Sequence, residues 1–212
     1  VTTYLLDANV LIALTVACLT PRSGDTMVVV ADALELIGGV ERRDIVVVPY
    51  DPRWPRRFET ERRRIEAALG DLALRVEHIG STAVPGLAAK PIVDIDLGVS
   101  DADDEPAYLP ALLHTGYLLR VRQPGHRMVR TAALDVHVHI HTDGDDRQRR
   151  DLVFRDRLRA DERDRVAYEA LKRDLARRDW ADMNAYAEAK GPLIVEITRR
   201  AQAWAASLEG SP

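Results

Sequence analysis

Two aspartates separated by one isoleucine, Asp94 and Asp96 in "PIVDIDLGV", are the residues of this chain best spaced to do chemistry together. On a strand, alternate residues share a face and lie ~6.5–7 Å apart. A strand over 92–99 therefore points both carboxylates one way and Val93, Ile95 and Leu97 the other, toward a core. Two like charges so placed either share cations or line the wet side of a sheet. Mg²⁺ accepts one or two carboxylates together with phosphate oxygens, and two such ions ~3.5–4 Å apart support in-line phosphoryl or nucleotidyl transfer. Upstream, Gly80-Ser81-Thr82 in "HIGSTAVPG" predicts a turn with backbone N–H groups and hydroxyls for a phosphate. Its glycine lets the backbone approach closely. The plain alternative is an ordinary turn before an ordinary amphipathic strand.

"ALDVHVHIH" (133–141) alternates with period two, which predicts a strand with Asp135, His137, His139 and His141 on one face. Asp135 offers a third carboxylate, and His139 a general base or metal ligand; both readings stand. Imidazoles also suit Zn²⁺ or Mn²⁺. At ~6.5–7 Å spacing only neighbouring histidines share an ion, so Zn²⁺ needs further ligands. The bland reading is an exposed polar strand face. Arg155 and Arg159, at i,i+4 in "FRDRLR", could clamp a triphosphate or bridge to Asp156 or Asp151. Lys90 either neutralises the acids or meets a phosphate, and Lys190, one turn after Tyr186, is open in the same way. His78 reads as a packed or hydrogen-bonded strand residue. The charged run "DRDRVAYEALKRDLARRD" reads as a solvated helix face.

These residues need elements to hold them. The opening predicts a strand ending near Asp7 and then a helical start, followed by a turn-rich linker over 20–26. A short element closes at Gly38-Gly39. "DIVVVPYDPRWP" predicts a β-branched strand broken by prolines. Residues 56–69 carry a helical stripe of Phe58, Ile65 and Leu69. "LRVEHIG" and "PIVDIDLGV" predict strands around a Gly/Pro-rich loop, and 106–116 a helix. From Arg147 onward the chain reads as helical, with Val166, Ala167, Ala170, Leu171 and Leu175 as one stripe and a last helix after Pro192 through about Leu208. The pattern predicts an α+β fold: a small mixed sheet with helices packed around it and a helical C-terminal part.

The order of a Gly-Ser turn, twelve residues and then Asp-apolar-Asp-apolar resembles the nucleotidyltransferase superfamily. More narrowly, "VVPYDPRWPRRFETE", "EHIGSTAVPGLAAKPIVDI", "LVFRDRLRA" and "NAYAEAKGPLIVEI" resemble the GrpB family, from about Asp44 to Ala203. That resemblance implies a nucleotidyltransferase-like fold, a small mixed sheet with trailing helices; the paired acids Asp94 and Asp96 are expected to hold Mg²⁺, or Mn²⁺ in its place. The resemblance also makes Arg155, Arg159 and Lys190 motif members. Family members carry a polar residue and then a histidine on the later strand, which match His137 and His139 rather than Asp135. Residues 1–17 resemble the opening of VapC-type PIN domains through Asp7 and Asn9. The expected division is therefore an extension over 1–43 and a GrpB-like domain over 44–208, with removal of 1–26 leaving the rest folded.

Composition sets the outer bounds. With 212 residues, 30% charged and a net charge of −4, the chain suits one well-buried domain and carries no global basic field for nucleic acid. The single Cys18 excludes an internal disulfide and a multi-cysteine metal site. No apolar run reaches the ~18 residues of a membrane span, which points to the cytoplasm. The expected reaction is nucleotidyl transfer from a nucleoside triphosphate to a small-molecule acceptor. Two alternatives stay open: a non-catalytic module binding a nucleotide or phosphometabolite, and a hydrolase with a histidine-rich metal site.

Overall fold

A computed structural model describes residues 3–7, 10–14, 34–41 and 44–209. Strands β1 (Thr3–Asp7) and β2 (Val10–Leu14) pair antiparallel, Asp7 opposite Val10. The sequence predicted a helical start after Asp7; the β-branched Val10 and Ile12 favour the extended backbone instead. The linker over 20–26 and most of the segment in the expected 1–26 truncation lie outside the described residues.

The main sheet has six strands: β3 (Glu35–Leu36), β4 (Arg75–Ile79), β5 (Val93–Val99), β6 (Leu118–Gln123), β7 (His126–Arg130) and β8 (Val136–Thr142). Their order is β3-β6-β7-β8-β5-β4, with β5 and β8 parallel and the other pairs antiparallel. Among the described residues six α-helices complete it: α1 (Trp54–Leu69), α2 (Glu105–His114), α3 (Asp146–Ala160), α4 (Glu162–Leu175), α5 (Met183–Ala189) and α6 (Gly191–Glu209). This is the expected α+β arrangement. Among the described residues no helix is long and apolar enough to cross a membrane.

Period-two alternation decides what each sheet face meets. Val93, Ile95, Leu97 and Val99 of β5 and Val136, Val138 and Ile140 of β8 enter one core, with Ile65 and Leu69 of α1 and Tyr108 and Leu112 of α2. Pro55 opens α1, where its missing N–H costs nothing. A second core joins Leu158 of α3, Tyr168 of α4, Ala187 of α5 and Ile194 and Ile197 of α6 to Val84 and Leu87, in the loop after β4. The trailing helices thus pack on the loop that follows Gly80.

Three expectations change. Residues 44–48 form no strand; only Val48 bridges to Ala89, because Pro49 and Pro52 deny the ladder its donors. The β6–β7 hairpin was not anticipated, since its alternation is masked by arginines whose guanidiniums pair at its edges, Arg122 and Arg127 with Glu105. The buried face of α4 is Asp164, Tyr168, Lys172 and Leu175. Val166 stands exposed, and the run read as a solvated face hides a buried lysine.

Candidate functional site

Parallel pairing of β5 with β8 sets Asp94 opposite His137, Asp96 opposite His139 and Gly98 opposite His141. On the other side of β8, β7 sets Met128 opposite His139 and His126 opposite His141. All six polar rings and carboxylates named here are buried, and Asp94 and Asp96 are each 0% exposed. The wet-side reading of the two acids and of the histidine strand is thereby excluded.

The groups divide into two sets. His137 Nδ1 and His139 Nε2 approach the same oxygen, Asp94 Oδ1, at 3.4 and 3.8 Å. Asp96 Oδ1 lies 2.7 Å from His141 Nδ1 in a hydrogen bond. His126 Nε2 and His139 Nδ1, 3.2 Å apart, share another. Burial alone would raise the Asp94 pKa, but the imidazoles of His137 and His139 override it and hold the carboxyl well below its usual range. Burial would likewise lower His141; its bond and charge pairing with Asp96 raise it instead. His126 is driven well below an ordinary histidine by burial, with His141 and His139 adding to the effect. Asp151 of α3 faces the Asp96–His141 pair, and burial of its carboxyl pushes it up to about 8.

The turn after β4 touches this cluster directly. Gly80 has φ +68°, and a Cβ there would lie 2.7 Å from Asp94 Oδ2. Glycine is thus what lets the turn close on the first aspartate. Ser81 and Thr82 are buried; Thr82 Oγ1 bonds His78 Nε2 at 3.0 Å, and the His78 ring stacks on Phe58. The packed reading of His78 holds. On the turn's other side Lys172 Nζ donates to Ser81 Oγ at 2.9 Å and to the Ala88 carbonyl at 2.5 Å, and lies over the Tyr168 ring. Burial lowers its pKa to about 7. Lys90 and Lys190, also buried, both lie over the Tyr186 ring, with Nζ 4.4 and 4.8 Å from its centre.

Other predicted site residues are held elsewhere. Asp135 precedes β8, and its carboxylate meets Thr131 Oγ1 at 2.7 Å and Arg57 Nε at 3.2 Å. It does not share the histidine face as the alternation predicted, because the strand begins one residue later. Arg155 donates to Glu77 at 2.8 Å and to the His78 carbonyl at 3.0 Å, and pairs with Asp156. Arg159 donates to the Ala83 carbonyl at 3.0 Å and also pairs with Asp156. Of the two sequence readings, bridging to Asp156 is the geometry found. Both arginines brace the Gly80 turn against α3. Sequence reasoning missed His126, Lys172 and Asp151. The i,i+4 pair Tyr168–Lys172 was the one local signal, hidden in a charged run.

A pair of Mg²⁺ ions, which the spacing of the two acids suggested, calls for oxygen ligands. Among the described residues the donor atoms that gather within 4.8 Å of one another are one carboxylate and two imidazoles, from Asp94, His137 and His139. Asp96 gives one oxygen to His141, and Asp135 is tied to Arg57. That donor set does not match a two-Mg²⁺ centre.

The fold and site define an α+β protein with a buried carboxylate–imidazole cluster beside a glycine turn that a buried lysine, Lys172, supports. The chain belongs to the GrpB family, whose model, described as "GrpB protein", matches residues 44–200. It is 53% identical to a UPF0157 protein of Streptomyces coelicolor, over 80% of this chain and 91% of that one. It is 32% identical to a dephospho-CoA kinase of Mycolicibacterium paratuberculosis, over 82% of this chain but only 50% of that protein. Among solved structures it resembles the conserved protein GrpB from Enterococcus faecalis, with a TM-score of 0.67 and 30% identity, over 75% of this chain and 99% of that one.

Proposed function

We propose that this protein binds a nucleoside triphosphate at the Gly80–Thr82 turn and transfers its nucleotidyl group to a small-molecule acceptor. One observation carries the reading: the turn joins two buried sets of opposite character. Asp94 packs against Gly80 on one side, and Lys172 holds Ser81 on the other. An ammonium group buried at a turn suits phosphate oxygens, and Lys90 and Lys190 add two further buried cations around Tyr186. In the reaction an acceptor oxygen bonds to the α-phosphorus, the bond to pyrophosphate breaks, and the acceptor proton passes to water. The relative named dephospho-CoA kinase supports nucleotide-related chemistry without specifying it.

The test is transfer of an α-labelled nucleotide with release of pyrophosphate; nucleotide binding without turnover would favour the accessory-module reading. Label released to water with no acceptor present would favour hydrolysis, a reading that the carboxylate–imidazole donor set supports on its own. His139→Ala should lower turnover by on the order of 100-fold, the loss expected for a general base or metal ligand. His141→Ala, at the far end of the strand, should cost much less. Equal and negligible losses in kcat would remove His139 from the chemistry.

A further inference from the structure

We infer that Asp94, His137 and His139 hold a single transition-metal ion of borderline softness, with His126 as the positioning residue that fixes which nitrogen of His139 binds it. This names the cofactor class of the site proposed above. It rests on that reading only for what the ion does in turnover, not for its binding.

Three observations converge. The donor set is chemically specific: one carboxylate with two imidazoles suits Zn²⁺, Fe²⁺, Co²⁺ or Mn²⁺, whereas Mg²⁺ prefers oxygen and keeps its water. The geometry is already gathered, with the three donor atoms within 4.8 Å of one another and all three residues buried. The facing nitrogens are also unsatisfied: His137 Nδ1 and His139 Nε2 are buried and make no hydrogen bond among the described residues. Leaving two such atoms dry costs stability, and an ion between them and Asp94 removes the cost.

His126 supplies what such a site needs behind its ligands. A ligating histidine is oriented by a hydrogen bond to its other nitrogen. His139 Nδ1 has that bond, at 3.2 Å to His126 Nε2, and the two rings stack nearly parallel. The Nε2 of His139 is thereby left to face Asp94. Asp96 stands apart from the trio, its Oδ1 engaged by His141.

The test uses tag-free full-length protein stripped of metal and titrated with Co²⁺, followed by visible d–d absorption in the absence of nucleotide. One equivalent should bind, equal concentrations of Mg²⁺ should leave the spectrum unchanged, and Zn²⁺ should displace Co²⁺. His137→Ala and His139→Ala should each abolish the spectrum while melting cooperatively. His126→Ala should weaken Co²⁺ binding 10–100-fold, and His126→Gln, which keeps a hydrogen-bonding group, should recover part of that loss. A spectrum that survives both ligand substitutions, or Mg²⁺ that displaces Co²⁺ at equal concentration, would overturn the site. Unchanged affinity in His126→Ala would overturn the positioning role. Because no turnover is read, failure here is distinguishable from failure of the transfer assay.

Discussion

Gly80→Ala should destabilise the protein by roughly 2–6 kcal/mol, a large part of the 5–15 kcal/mol that holds a typical domain together. Two costs add. The backbone at residue 80 has φ 68° and ψ −170°, a region that only glycine occupies freely and that costs other residues about 1–3 kcal/mol. The new methyl would also sit 2.7 Å from Asp94 Oδ2 and 3.2 Å from its Cβ. Such an overlap in a packed interior costs a further ~1–3 kcal/mol. Neither side can yield easily, since Asp94 is fully buried and the turn is braced by Arg155, Arg159 and Lys172. Gly86→Ala is the internal control: its φ is +80°, but nothing lies within 4 Å of the added atom. Denaturant unfolding of both variants separates the conformational cost from the collision. A Gly80→Ala loss no greater than that of Gly86→Ala would show that Asp94 does not press on the turn.

Lys172→Met should make the protein more stable near neutral pH and much poorer at binding nucleotide. Burial depresses the folded-state pKa of Lys172 from 10.5 to about 7. Between those two values the unfolded chain binds more protons than the folded one, so stability rises as pH rises through the window. Below about 7 the full cost is present, on the order of 3–5 kcal/mol. Methionine fills similar space and removes the cost, but it leaves Ser81 Oγ and the Ala88 carbonyl without their donor. The net gain at pH 6 should therefore be about 1–3 kcal/mol, shrinking toward pH 10. Loss of a buried ammonium that meets phosphate should weaken nucleotide binding ~30-fold or more. Unfolding at pH 6 and pH 9, with titration calorimetry at pH 6, where Lys172 is charged, reads both effects. Parallel pH profiles for the two proteins would refute the burial argument, and unchanged affinity would remove Lys172 from the binding site.

Much of this was legible in the chain because it depends on local period. The alternation of "VDIDLGV" and "VHVHIH" is enough to put Val93, Ile95 and Leu97 on one face and Asp94, Asp96 and the histidines on the other, since side chains on a strand alternate whatever surrounds them. The need for glycine at position 80 was legible too, though as close approach to a ligand rather than to Asp94. The helices after Arg147 were readable as helices, while the inward face of α4 was not. A lysine at an interior position carries the same letter as one in water, and only the packing of Tyr168 and Leu175 on the second core shows which it is.

What the sequence determined by itself is the set of chemical groups, their faces on each strand and the membership of the GrpB family. Tertiary structure alone decided which groups meet. The parallel β5–β8 register brings Asp94 to His137 and His139, and the unforeseen β7 brings His126 behind them. Starting β8 at Val136 leaves Asp135 to Arg57. The physical reason is that side-chain direction follows from backbone geometry a few residues long, whereas the partner across a sheet depends on register between segments about forty residues apart, which no local pattern encodes.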